Sequence, residues 1–134
     1  MGHRVSRWLA DACALIDFYT QEPHLPARVH AILADESGSV AVAATTIWEI
    51  AIKTARGRLS DIRTGGHATL AGMLRAHGFE LQPLDAATAE QAARLPSIHA
   101  DPFDRALVAL AQRSGRTVLT SDAVIGRYGV PVAW

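Results

Sequence analysis

The sequence has a single cysteine, Cys13, among its 134 residues. One thiol cannot close an internal disulfide, which sets aside the stapled scaffolds of secreted proteins and makes the cytoplasm the expected compartment. No apolar run approaches the ~18 residues that a membrane span requires, so no membrane partner is expected. Neither sign of charge is in excess, because 13 Lys+Arg meet 13 Asp+Glu for a formal net charge of +0. A chain with no global positive field is a poor sequence-blind binder of nucleic acid, and any phosphate contact must come from a local patch or from bound cations. Repeats, low-complexity tracts and linkers are also missing, so one domain over residues 1–134 is expected. Nucleotide-cofactor fingerprints such as GxGxxG or Walker A do not occur. The six histidines (3, 24, 30, 67, 77 and 99) show no zinc-ligand spacing and read as surface or loop residues. Gly2 and Ser6 formally fit a myristoylation pattern, which is too short to decide anything.

What the sequence does have is a globular composition, 49% hydrophobic and 19% charged. Short apolar runs alternate with helical patterns, the signature of βαβ units and a parallel sheet. Strands are predicted over Val5–Ala10, Ser39–Ala44, Phe79–Leu84, Thr117–Thr120 and Val130–Ala133. Helices are predicted over Cys13–Tyr19, from Pro26 to Ala34, from a Thr45 or Thr46 cap to just before Gly57, over His67–His77 and over Ala86–Leu95. A sixth opens at Asp101-Pro102 and turns Phe103, Leu107, Leu110 and Ala111 toward the core. The fold class is therefore α/β, with about five parallel strands and helices on both faces.

Four acids fall at or just after predicted strand ends, where an open parallel sheet collects its ligands. Asp11 follows the first strand, and Glu49 is expected in the first turn of the helix after the second. Asp104 lies in the first turn of the Asp101 helix, and Asp122 follows the Val118-Leu119-Thr120 run. Four carboxylates in one cleft repel, so without a cation some must hold protons at raised pKa values. Mg2+ or Mn2+ resolves this, since both prefer oxygen ligands and keep bound waters. Such a centre suits phosphodiester hydrolysis, by activating a water and neutralising charge on the leaving oxygen. Each acid also has a structural reading. Acids in a first helical turn complement the helix dipole, Asp122 reads equally as an N-cap, and Asp101 as a cap with an i,i+4 pair to Arg105.

The motifs themselves resemble a known family. Leu9-Ala10-Asp11-Ala12-Cys13-Ala14-Leu15-Ile16 is similar to the opening motif of PIN-domain proteins. Trp48-Glu49-Ile50-Ala51-Ile52-Lys53 followed by Gly57-Arg58-Leu59 resembles the WEIAIK…GKL stretch of the VapC-like toxin branch. His99-Ala100-Asp101-Pro102-Phe103-Asp104-Arg105 resembles its H-x-DPFDR motif, and Leu119-Thr120-Ser121-Asp122 its TxD ending. All four occur in the family's order and span nearly the whole chain. The resemblance implies a three-layer α/β/α sandwich and a Mg2+- or Mn2+-dependent endoribonuclease, the toxin half of a bacterial type II toxin–antitoxin pair. It also implies an RNA substrate, a cognate antitoxin whose C-terminal segment occupies a groove, and a homodimer. The metal-site acids carry over to Asp11, Glu49, Asp104 and Asp122, with Thr120 and Ser121 as supporting hydroxyls and Asp101 within reach of a metal-bound water. Ala12 and Cys13 stand where the family usually has Thr-His, and Arg7-Trp8 interrupt a strand that is normally aliphatic.

Lys53, Arg56, Arg58 and Arg105 form a candidate phosphate rim around this acidic centre. The alternative is that they complement a helix C-terminus, with Glu49 and Lys53 as an i,i+4 pair. Cys13 reads as a small buried filler, and Trp48 as a core or dimer contact. Two further functions compete with the ribonuclease. A phosphohydrolase with an Asp nucleophile usually carries a second Asp two positions on, where Cys13 stands. A noncatalytic RNA- or protein-binding module of the same fold is argued against by the four intact acids and by the neutral charge.

Overall fold

A computed structural model describes residues 7–55, 62 and 64–134. The residues beyond these ranges include Gly2, Val5 and Ser6, and also Arg56, Arg58 and the rest of the Gly57-Arg58-Leu59 stretch. Five strands, β1 (Trp8–Ala10), β2 (Val40–Ala43), β3 (Glu80–Gln82), β4 (Thr117–Leu119) and β5 (Val132–Ala133), form one parallel sheet in the order β3-β2-β1-β4-β5. The helices are α1 (Ala12–Tyr19), α2 (Ala27–Ala34), α3 (Ala44–Ala55), α4 (Leu70–Ala76), α5 (Ala86–Arg94), α6 (Pro102–Ser114) and α7 (Ala123–Gly126).

The period-2 geometry of a strand sends alternate side chains to opposite faces, and both faces here are apolar. Ala10, Val40, Val42 and Leu119 turn to one face, where Leu15 and Ile16 of α1, Val29 and Leu33 of α2, and Met73 and Leu74 of α4 complete a buried cluster. Leu9, Ala41, Ala43 and Val118 turn to the other, against Leu107, Val108, Leu110 and Ala111 of α6 and Ile125 of α7. The three-layer α/β/α sandwich follows directly from this two-sided burial.

The chain runs from β1 to one side of the sheet and from β4 to the other. The switch point between β1 and β4 opens a crevice at their carboxyl ends, the place where folds of this kind bind ligands. Local chemistry starts the helices there. Asp11 caps α1, Asp101 caps α6 with Pro102 at its first turn, and Asp122 caps α7.

Several expectations need correction. The third helix has no threonine cap, because β2 passes straight into α3 at Ala44 and carries Thr45 and Thr46 inside the helix. Glu49 consequently sits in the second turn of α3, not the first. The His67 helix begins only at Leu70, where Thr69 accepts the Gly72 amide and sets the cap. Gly78 ends it at φ +88, in a position where a Cβ would overlap the Glu36 carbonyl. Phe103 is only partly buried and lies outside the α6 core row. Trp48 is 61% exposed rather than core, and its ring meets Phe103 edge-on at 5.3 Å. Cys13 is exposed rather than a buried filler, because the first turn of α1 points it away from the sheet.

Candidate active site

Asp11 leaves β1 and is anchored from two sides. Its backbone N–H donates to the Leu119 carbonyl of β4 at 3.2 Å, and its Oδ1 accepts from the Ala14 amide at 2.7 Å. The Thr120 hydroxyl bonds to the Asp11 carboxylate and also accepts from the Asp122 amide at 3.0 Å. Thr120 thereby ties the two strand ends that flank the switch point. Asp122 caps α7 through Oδ1, which accepts from Val124 at 2.9 Å, and keeps Oδ2 for the crevice. Asp101 caps α6, accepting from Phe103 at 2.8 Å and from Asp104 at 3.4 Å. Capping and site roles are therefore compatible at Asp122, because the cap occupies only one carboxylate oxygen.

Glu49 reaches the crevice from α3, with Lys53 Nζ 2.9 Å from its Oε2 one turn later. Burial disfavours the Lys53 ammonium, but the hydrogen bond and charge of Glu49 outweigh this and raise its pKa. These side chains share a cavity of about 240 Å3 lined by Asp11, Glu49, Asp101, Asp104 and Asp122, together with Ala12, Cys13, Lys53 and Ser121. The structure thus gathers Asp11, Glu49, Asp104 and Asp122 with Asp101, Ser121 and Lys53 in one pocket, with Thr120 buried behind it; Asp104 comes from α6, which follows α5, and not from a strand end as expected.

The electrostatics of the pocket are those of crowded carboxylates. Asp11 is pushed up to about 6, chiefly by burial, with Glu49 and Asp122 adding repulsion and the Thr120 and Ala14 hydrogen bonds opposing it. Asp104 is also pushed up to about 6, by burial first and then by Asp101, against the pull of His99. Desolvation at the pocket wall and the charge of Asp11 raise the Cys13 thiol, which makes it a poor nucleophile.

Two residues behave differently from the sequence reading. Arg105 points away from the acids: its guanidinium donates to the carbonyls of Ala93, Leu95, Pro96 and His99 at 2.8–3.3 Å. It clamps the segment before α6, and these carbonyls, not the Asp101 side chain, take its hydrogen bonds. His99, read as a bystander, stands among the acids with Nε2 3.0 Å from Asp104 Oδ2 and 3.1 Å from Asp122 Oδ2. His99, Asp104 and Asp122 each place a ligand-type atom within 4.8 Å of the others. Tyr128 was also missed; its hydroxyl accepts from the His99 amide at 2.7 Å and donates to the Pro96 carbonyl at 3.0 Å. The sequence signal for the histidine was its place at the head of the H-x-DPFDR-like stretch, two residues before the α6 cap, and nothing local marked Tyr128.

The donor set fits a hard divalent cation. It offers carboxylate oxygens, its one ammonium is already paired with Glu49, and burial, with repulsion from neighbouring acids, makes Asp11 and Asp104 hold protons more tightly than usual.

A second depression, about 510 Å3 and mostly apolar, lies beside this pocket. Thr45, Trp48, Leu84, Ala89, Ala92, Ala93, Pro102 and Phe103 line it, and the Thr45 hydroxyl is buried there without a partner among the described residues.

No curated protein matches the chain. Solved structures with the same fold include FitAB bound to an IR36 DNA fragment, at 18% identity and TM-score 0.65 over 94% of this chain and 93% of that one. FitAcB from Neisseria gonorrhoeae follows at 19% identity and TM-score 0.61, covering 93% and 95% of the two chains. PAE2754 from Pyrobaculum aerophilum has 17% identity and TM-score 0.61, covering 95% and 83%. The PIN domain profile matches residues 9–131, a span that contains every carboxylate of the crevice. The chain belongs to the PIN domain family, whose members are generally nucleases.

Proposed function

We propose that the protein is a metal-dependent endoribonuclease, the toxin component of a bacterial type II toxin–antitoxin pair of the VapC-like branch. The observation that carries this reading is the convergence of Asp11, Glu49, Asp104 and Asp122 on one pocket at the switch point of the sheet. These four carboxylates would hold Mg2+ or Mn2+. When bound, the cation supplies Lewis acidity toward water and phosphate and neutralises charge on the leaving oxygen. The chain's own residues do the remaining work. Thr120 fixes Asp11 relative to Asp122, and the α1, α6 and α7 caps hold Asp11, Asp101 and Asp122 in place. Lys53 holds Glu49 at the rim and is, among the described residues, the lysine or arginine that lines the pocket, where it would meet an incoming phosphate. Asp101 and Ser121 line the wall, where they can accept from or donate to ordered water.

The apolar depression supports the antitoxin half of the reading. A hydrophobic peptide segment covering Trp48 and Phe103 would lie directly beside the acids and block access to them. The homodimer rests on the family resemblance alone. The test is a Mn2+ titration by calorimetry together with cleavage assays on matched single-stranded RNA and DNA. Saturable Mn2+ uptake with cleavage of RNA and not DNA is expected. Uptake with cleavage of DNA alone would move the substrate, and no uptake would remove the metal.

A further inference from the structure

His99 is fixed from three directions. Its amide donates to the Tyr128 hydroxyl at 2.7 Å, its carbonyl accepts from Arg105 at 3.1 Å, and its ring Nδ1 accepts the Asp101 amide at 3.2 Å. The last bond sets the chemistry of the ring. A nitrogen that accepts an N–H carries no hydrogen, so the hydrogen of the neutral imidazole is on Nε2. Nε2 is the atom that faces Asp104 Oδ2 at 3.0 Å and Asp122 Oδ2 at 3.1 Å, both acceptors. A protonated ring nitrogen has no lone pair to give a cation.

We infer that His99 is a positioning residue and not a metal ligand: its Nε2–H is shared by Asp104 of α6 and Asp122 at the head of α7, holding two carboxylates from separate elements ready for one divalent cation. This rests on the metal-site reading above. The three side chains look like a ready-made ligand trio by distance alone. The Asp101 amide is what separates the roles, because a neutral ring coordinating through Nε2 would carry its hydrogen on Nδ1, which instead accepts the Asp101 N–H. Holding the acids together before the cation arrives is work that outer-sphere hydrogen bonds do at metal centres, and their loss commonly weakens metal binding about tenfold to a hundredfold.

Three readouts test the assignment. Long-range nitrogen–proton NMR on the metal-free protein at about pH 8 should show the Nε2–H tautomer for His99; an Nδ1–H or doubly protonated pattern overturns it. Pulsed EPR on the Mn2+-loaded wild type should show no directly coordinated imidazole nitrogen; such a coupling, lost in His99→Ala, overturns it. By calorimetry, His99→Ala should weaken Mn2+ binding at least about tenfold and His99→Gln, whose amide N–H replaces Nε2–H, should recover most of that. Unchanged affinity in His99→Ala, or a glutamine no better than alanine, contradicts the role. Failure of the wild type to take up Mn2+ overturns the proposal together with the metal reading, whereas an Nδ1–H pattern with normal uptake overturns it alone. The wild-type NMR and EPR results stand even if the alanine variant does not fold.

Discussion

Asp11 and Asp104 hold protons up to about pH 6, well above the ordinary carboxylate value of 3.8, because burial and neighbouring acids disfavour their charged forms. A group whose pKa is raised on folding contributes stability that is fully present below its unfolded pKa and lost as pH rises through its folded pKa. For the metal-free protein the affected window is therefore about pH 4 to 6, and the strain of the charged pair persists above it. Asp11→Asn and Asp104→Asn remove that strain, and at Asp11 asparagine keeps the carbonyl that caps α1. Both variants should melt higher than the wild type at neutral pH without metal, converge with it toward pH 4, and have lost cleavage. Thermal unfolding across that pH range checks this, and a lower Tm for both at neutral pH would contradict it. Asp11 and Asp122 were legible in the sequence because each follows an apolar strand run, whereas Asp104, carried by α6 directly after α5, was legible only through its motif. The role of His99 was not legible, since it depends on the Asp101 amide and on Asp104 and Asp122, which only the folded crevice brings round it.

Arg105 shows how an element-scale role can look like a binding role in sequence. It follows Asp104 in α6, yet its guanidinium satisfies four carbonyls at the end of α5 and in the segment leading to α6. Hydrogen bonds to a charged group contribute about 1.5–3 kcal/mol, and this clamp holds the segment that carries His99. Arg105→Ala should cost about 2 kcal/mol or more in urea unfolding while leaving the salt dependence of RNA binding unchanged. A shallower salt slope at unaltered stability would return Arg105 to the phosphate rim. The same distinction explains what was readable along the chain. The start of α6 at Asp101 was visible because capping is local chemistry, whereas Asp11 was not read as the cap of α1 and the short α7 after Asp122 was not anticipated. The start of α3 was misplaced because a buried strand and a buried helix share the same apolar, β-branched residues, and β2 enters α3 with no intervening turn. Trp48 was read on helical spacing as a core or dimer contact, and the core half of that reading fails because its face opens on the apolar depression.

At the scale of the whole molecule, a chain of zero formal net charge concentrates its acids in one crevice at the switch point of a parallel sheet. The doubly wound sandwich was legible because its strands are short apolar runs buried on both faces, which is what a central parallel sheet requires. A cation that binds only the folded crevice stabilises the protein by mass action, about 2.7 kcal/mol at a hundredfold excess over Kd. Millimolar Mn2+ or Mg2+ should therefore raise Tm in the wild type and much less in Asp104→Asn; equal shifts in both would place the ion elsewhere. The central claim is that the crevice hydrolyses RNA with a divalent cation. Its most direct test is incubation of total RNA with the protein and Mn2+ or Mg2+, beside an EDTA control and the Asp104→Asn variant. The account predicts discrete cleavage by the wild type that disappears in both controls. Cleavage that survives EDTA or the substitution would contradict it.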